Sequence, residues 1–265
     1  MADDALADLI RRRIRDDGPL PLDAFWRLAM TTPEHGYYMR GAPIGAEGDF
    51  TTAPEISQIF GELLGLWLVD AWMQAGSPDP FTLMELGPGR GQLMADALRA
   101  ARAVPAFAAA ATTILVEASP TLRAEQQRRL TDMAPTWHAD WAESLAAARG
   151  QPLFLIANEF LDALPIRQFV FDGAVWRERL IAAADASFVF ENGPATDLPE
   201  DATPPAGAPP EGGVYEYAPE RAAVARAVAE RIAAEGGAAL FVDYGHAGAR
   251  LGDSLQALAG GRPAD

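Results

Sequence analysis

The stretch Leu83–Leu93, LMELGPGRGQL, constrains this chain more than any other. A short apolar run ends in Glu85 and releases three glycines, Gly87, Gly89 and Gly91, alternating with Pro88 and Arg90. In doubly wound α/β sheets a ligand binds beyond the carboxyl ends of the strands, where a glycine turn after the first strand lets it approach the backbone. A dinucleotide fingerprint wants G-x-G-x-x-G, and Gln92 stands where its third glycine should be. The turn therefore suits a nucleoside ligand better than a dinucleotide.

The ligand that needs such a turn without a pyrophosphate to cradle is S-adenosylmethionine. Its methionine ammonium favours a nearby carboxylate, and Glu85 lies just before the cradle formed by Gly87, Pro88, Gly89 and Gly91. At the end of the next strand Glu117 can accept both ribose hydroxyls, the role an acid plays at this point of the fold. Beyond the third strand, Asp140 offers an acceptor to the adenine amino group and Trp141 an apolar surface to its ring. A solvated acid beside a core indole is the equal alternative for that pair. The fourth strand leaves its apolar run at Ala157 and presents Asn158, Glu159 and Asp162 where a transferred methyl group would emerge. These are the candidate catalytic residues, against the plainer reading that Asn158 caps the next turn and the acids face water.

The rest of the chain agrees with an α/β sheet. From Phe81 onward short apolar strands alternate with helices, which predicts a mostly parallel sheet covered by helices. Strands are expected at Thr82–Glu85, Thr113–Glu117, Thr136–Ala139, Leu153–Ala157 and Ala238–Asp243, and helices at Gln92–Ala103, Pro120–Leu130 and Pro219–Ala234. The stretch FVFDGAVW carries an Asp-Gly turn between apolar runs, so Gln168–Phe190 reads as hairpin strands, followed by a Pro- and Gly-rich loop over Gly193–Gly213. Upstream, Leu6, Leu9, Ile10 and Ile14 predict a first helix, and Leu22, Phe25, Trp26 and Ala29 a second. After Pro54, the spacing of Ile56, Ile59, Phe60, Leu63, Leu64 and Trp67 predicts a helix that buries that face.

Composition removes other classes. A net charge of -16 is wrong for a protein that grips phosphate backbones, and a cationic partner fits better. Cysteine is absent and there are three scattered histidines, so no metal centre is expected. The opening MADDALADLIRRRIRDDGPL has acids before its arginines and no long apolar core, which predicts neither a secretory signal nor membrane insertion and favours the cytoplasm.

The combination of GDFTTAPEISQIFGELLG, MELGPGRGQLMADAL, LVEASPTLR, NEFLDALPIRQF and FVDYGH, spread over most of residues 33–246, resembles the MidA family, whose mitochondrial members are complex I assembly-factor arginine methyltransferases. The resemblance implies a Rossmann-like class I methyltransferase sheet with S-adenosylmethionine as donor. It also implies symmetric dimethylation of an arginine in a protein partner, a subunit of respiratory complex I. It places Thr52 near the cofactor, in a loop with Asp49, Thr51 and Glu55 that closes over the site. The expected division is an N-terminal helical cap and active-site loop over residues 1–75, then a methyltransferase domain over 76–265 with an inserted β-hairpin region at about 168–215. A class I sheet normally ends in an antiparallel hairpin after its fifth strand. Here the chain stops at Asp265, soon after Asp243, so those strands are expected to be missing. The rivals are an assembly chaperone that holds the cofactor without catalysis and a methyltransferase for a small molecule or amide. A nucleic-acid adenine methyltransferase fits less well, since NEFL lacks the pattern that stacks a flipped base, and a dehydrogenase ranks last. The sequence carries no signal for oligomeric state.

Overall fold

The computed structural model describes residues 2–39, 52–185, 187–246, 248–259 and 262–264. In chain order the elements begin with α1 (Ala2–Asp17), β1 (Leu20–Pro21), α2 (Leu22–Thr31), α3 (Ala53–Ile56), α4 (Gln58–Gln74), β2 (Phe81–Leu86), α5 (Gln92–Ala101) and α6 (Pro105–Ala110). There follow β3 (Ala111–Val116), α7 (Pro120–Arg129), β4 (Thr136–His138), α8 (Trp141–Ala147), β5 (Leu153–Asn158), β6 (Arg167–Phe171), β7 (Trp176–Ala184) and β8 (Ser187–Thr196). The chain closes with β9 (Val214–Tyr217), α9 (Pro219–Glu235), β10 (Gly237–Val242), β11 (Ala257–Ala259) and β12 (Arg262–Ala264). It divides into two compact units. One comprises Arg40–Ala163 and Ala222–Tyr244, the other Met1–Met39, Leu164–Arg221 and Gly245–Asp265, so that the boundary falls inside α9.

The first unit is built on a parallel sheet of order β10-β5-β2-β3-β4. All six residues of β2 are buried, as a central strand covered on both faces requires. Phe81 packs between Phe107 and Phe154, with ring centroids 4.9 and 5.2 Å away, and Trp72 meets Phe107 edge-on at 5.6 Å. Each such pair adds about 0.5–1.5 kcal/mol beyond its buried area. The strand order reverses direction between β2 and β5, and that reversal is the topological switch point where open α/β sheets bind ligands. The glycine turn leaves β2 there and Asn158–Asp162 leaves β5. At the opposite end of the sheet the buried Arg231 of α9 donates to the carbonyls of Ala148 and Gln151 and pairs with Glu235.

α4 corrects the sequence reading. Its buried residues are Gly61, Gly65, Leu68, Val69 and Trp72, while Ile56, Ile59 and Leu63 are 73%, 64% and 59% exposed. Of the expected face, Phe60, Leu64 and Trp67 alone pack against the core. The cause is α5, which crosses α4 at its two glycines: a Cβ on Gly65 would stand 2.4 Å from the carbonyl oxygen of Ala97, and one on Gly61 2.6 Å from Cβ of Asp96. Large apolar side chains cannot enter so close a crossing and are rotated away from it. Gly65→Ala should therefore destabilise the protein by about 1–3 kcal/mol, since backbone rather than a flexible side chain must move. A urea midpoint unchanged from the parent would show that α5 yields freely.

The second unit holds an antiparallel sheet of order β1-β7-β6-β9, with β8 paired to β7. The Asp172-Gly173 turn forms as expected. Gly173 has φ 95°, and the Asp172 carboxylate, bound by the Val175 and Ala174 N–H groups and by Arg177, is held down at about 2. β8 runs on to Thr196, so the first residues of the expected loop belong to a strand. Ile10, Ile14, Leu20 and Leu22 form a core with Ile166 and Ile181. α1 and α2 thus share their core with the inserted strands, whereas α4, expected beside them in an N-terminal cap, packs on the parallel sheet. The two residues of β1 make this partition by pairing with Leu180 and Ile181 across a separation that no local pattern reveals. Among the described residues, β11 and β12 pair with each other in a two-stranded sheet of their own. Among the described residues, no helix is long and apolar enough to cross a membrane.

Candidate active site at the switch point

The turn after β2 is held open by backbone conformation. Gly87, Gly89 and Gly91 have φ 64°, 52° and 78°, the left-handed region that side chains disfavour. The Gly87 N–H continues the β3 pairing to the Val116 carbonyl at 3.0 Å, and the Gly91 N–H closes the turn on the Pro88 carbonyl at 2.7 Å. A Cβ on Gly87 would stand 2.9 Å from Cδ2 of Phe160, so the turn rests on an aromatic ring from the end of β5. Pro88 is buried, and Arg90 turns aside to Glu125 of α7 at 2.9 Å and Glu55 of α3 at 3.8 Å.

Two buried carboxyl groups, Glu85 in β2 and Glu117 just after β3, stand at this end of the sheet. Glu85 is 2% exposed, and burial, reinforced by the charge of Glu117, pushes it up to about 8. Among the described residues its Oε2 has no hydrogen-bond partner. Glu117 follows β3 and is 8% exposed; burial raises it to about 7 against the Ser119 N–H and the Gln126 amide, which favour the charged form. Ser119 donates to Oε1 at 2.8 Å and Gln126 to Oε2 at 3.2 Å. An ionised carboxylate has about four acceptor positions, so both oxygens retain capacity for ligand hydroxyls. The sign of the pH effect follows. Both groups bind protons more tightly folded than unfolded, so their contribution to stability is full below the ordinary value of 4.5 and is lost as pH rises toward about 8. The ligand-free protein should lose thermal stability across that window, and Glu85→Gln should flatten the slope. A slope unaltered in that variant would remove Glu85 as its source.

Gln126 is a residue of the candidate site that the sequence reading did not single out. Fully buried on α7, it donates to the Gly89 carbonyl at 2.6 Å and to Glu117, and its Oε1 accepts from Nε1 of Trp137 at 2.8 Å. One amide thus fixes the glycine turn, the acid after β3 and an indole of β4. The available signal was its position one turn after the buried Leu122 on an otherwise polar helix.

Asp140 and Trp141 lie after β4, where expected. Asp140 caps α8 by accepting the Glu143 N–H at 2.9 Å, and the cap alone accounts for an acid at that position; Trp141 is half-buried. At the end of β5, Asn158 pairs with Val242, and Glu159 has the left-handed φ of 51°, rare for a residue with a side chain. The Glu159 carboxyl is raised by burial and by the charges of Asp162 and Asp243, opposed by hydrogen bonds from the Asn158 side chain and the Ala53 backbone. Ala53 follows Thr52, the N-terminal boundary residue of α3, so α3 and the end of β5 come together. Asp49 and Thr51 lie outside the described residues.

The Oε2 of Glu85, unpartnered among the described residues, the glycine turn and the acceptor capacity of Glu117 fit one ligand carrying a cation and vicinal hydroxyls. A doubly wound sheet with this site at its switch point is the architecture of a class I methyltransferase. The chain belongs to the family described as S-adenosyl-L-methionine-dependent methyltransferases, which it matches over residues 63–264. The Drosophila melanogaster protein named protein arginine methyltransferase NDUFAF7 homolog, mitochondrial, is 36% identical over 277 residues, covering 96% of this chain and 63% of its own length. The Danio rerio protein arginine methyltransferase NDUFAF7, mitochondrial, is 37% identical over 262 residues, covering 88% and 60%. A crystal structure of a Burkholderia thailandensis protein bound to S-adenosyl-homocysteine superposes with a TM-score of 0.77 at 28% identity, covering 92% of this chain and 63% of that one. The chain thus spans less than two thirds of the length of these relatives.

Proposed function

We propose that this chain carries the donor-binding and catalytic core of a methyltransferase that acts on an arginine of a protein, with a respiratory complex I subunit as the acceptor. The observation that carries this reading is the left-handed, half-buried Glu159 at the end of β5, with Asp162 and Asp243 near its carboxylate and Phe160 against the Gly87 turn. Gly87, Pro88, Gly89 and Gly91 would hold the donor backbone-first, with Glu85 at its ammonium, Glu117 at its ribose, Asp140 and Trp141 at its adenine and Thr52 over the site. When bound, S-adenosylmethionine supplies an electrophilic methyl group. Glu159 then binds the incoming guanidinium through paired hydrogen bonds and biases its charge toward the nitrogens that do not react. Asn158 orients the attacking nitrogen, and Asp162 stands beside Glu159 to take the released proton. Much of the acceleration comes from alignment of the two reactants. The names of the relatives support a protein arginine as acceptor, and the complex I subunit rests on the family resemblance.

The test incubates this chain, and beside it the Drosophila melanogaster relative, with labelled S-adenosylmethionine and a complex I subunit, then locates the methyl group by mass spectrometry. Calorimetry should show S-adenosylhomocysteine binding and NAD not binding. Methyl transfer to a residue other than arginine overturns the acceptor. Binding of both partners without any transfer establishes a chaperone in place of an enzyme.

A further inference from the structure

We infer that Asp243, at the end of β10, is a positioning residue that sets the conformation of the acceptor turn Asn158–Asp162. The inference rests on the reading of Glu159 as the acceptor-binding acid. Oδ2 of Asp243 accepts the backbone N–H groups of Leu161 at 2.8 Å and Asp162 at 3.2 Å, while Oδ1 accepts the Tyr244 N–H at 2.8 Å. Both oxygens of the carboxylate therefore serve backbone groups. Its neighbour Val242 accepts the Glu159 N–H at 2.8 Å, which extends the pairing of β10 with β5 one residue beyond Asn158. The turn is fixed on both sides of Phe160. Glu159 is anchored by its N–H with φ 51°, and Leu161 and Asp162 are drawn onto one carboxylate oxygen.

The geometry explains why a residue with a side chain sits in a left-handed conformation. Glu159 reverses the chain as it leaves β5, and the reversal brings Phe160 under Gly87 and turns the next two N–H groups toward β10. Left-handed backbone at a residue other than glycine persists when the surroundings over-determine it. Charge-assisted bonds to consecutive N–H groups are such a determinant. Without them the Leu161 and Asp162 N–H groups lose this acceptor, Glu159 can relax to an extended conformation, and its carboxylate leaves its place beside Asn158 and Ala53. Asp243 acts on the acceptor turn through backbone, whereas the glycine turn is held by hydrogen bonds from Gln126 and to Val116 and meets the acceptor turn only through packing on Phe160.

The test compares Asp243→Ala and Asp243→Asn with the parent chain and with Glu159→Gln. Asp243→Ala should speed hydrogen exchange at the Leu161 and Asp162 amides by about tenfold or more, with β5 and β10 amides unaltered. Affinity for S-adenosylhomocysteine should stay within about threefold of the parent, and kcat for methyl transfer should fall about 10²-fold at unchanged KM for the donor. Asp243→Asn keeps an oxygen that can accept both N–H groups and should return kcat to within about tenfold of the parent. The inference is overturned if Asp243→Ala transfers methyl at the parent rate, loses donor affinity in step with kcat, or leaves exchange at Leu161 and Asp162 unaltered. It is also overturned if Asp243→Asn is as impaired as Asp243→Ala. A parent chain that transfers no methyl group defeats the proposed function instead, and the exchange result then decides the role of Asp243 by itself.

Discussion

Glu159→Gln is expected to lower methyl transfer about 10²-fold or more while S-adenosylhomocysteine affinity changes by less than about threefold. The substitution keeps the size of the side chain and an oxygen that can still accept from the backbone of Ala53, so the left-handed backbone and the turn should survive. What disappears is the charge that would polarise a guanidinium, and a hundredfold slower transfer corresponds to a barrier raised by about 2.7 kcal/mol. A second readout separates charge from shape. Because Glu159 is raised by burial and by two neighbouring acids, the parent should lose activity as pH falls through its raised value, and the variant should lack that limb. Normal transfer by Glu159→Gln would pass the role to Asp162, the next acid on the same turn.

The second large effect is expected of Gly87→Val, which should weaken S-adenosylhomocysteine binding at least about 10²-fold as measured by calorimetry. Gly87 has φ 64°, where a β-branched residue costs about 1–2 kcal/mol. The cost in binding is larger because the turn cannot move aside. Its N–H is held by the Val116 carbonyl at 3.0 Å, and the new Cβ meets the Phe160 ring at 2.9 Å. Relaxation pushes either the cradle into the ligand space or Phe160 away from the acceptor turn. A urea midpoint lowered by no more than the conformational cost would show that the protein is still folded. Undiminished affinity in a folded variant would mean that the glycine turn is not the cradle.

What the sequence disclosed was what neighbours along the chain determine. Buried runs such as Leu83–Leu86 and Leu153–Ala157 announce central strands, and the glycines of residues 87–91 need a left-handed backbone whatever surrounds them. Glu85 and Glu117 were legible because strand ends are local features. The hidden parts depend on contacts across long separations. In α4 the deciding residues were glycines, which a count of apolar side chains passes over, although they are where α5 comes closest. The allegiance of α1 and α2 turned on two residues of β1. Gln126 looked like another polar residue of a surface helix until three partners from separate elements met on its amide. Asp243 belongs to the stretch FVDYGH, but its carboxylate binds a turn encoded eighty-odd residues earlier.

That separation also orders the assembly of the molecule. β10 joins β5 only after the whole of residues 164–221 has been made, and the Gly150 N–H meets Glu235 across 85 residues of chain. Closing so long a loop is entropically uphill until its contacts form, whereas β2, β3, β5 and α5 lie close enough in sequence to nucleate first. During synthesis the glycine turn and the acids of β2 and β3 can therefore be in place before the turn after β5 is fixed. Until Val242 and Asp243 have emerged from the ribosome, the Glu159 N–H has no strand to join and the following turn has no anchor. On the proposed function, a nascent chain would in this way acquire a cradle for its nucleoside ligand before it acquires the means to use it.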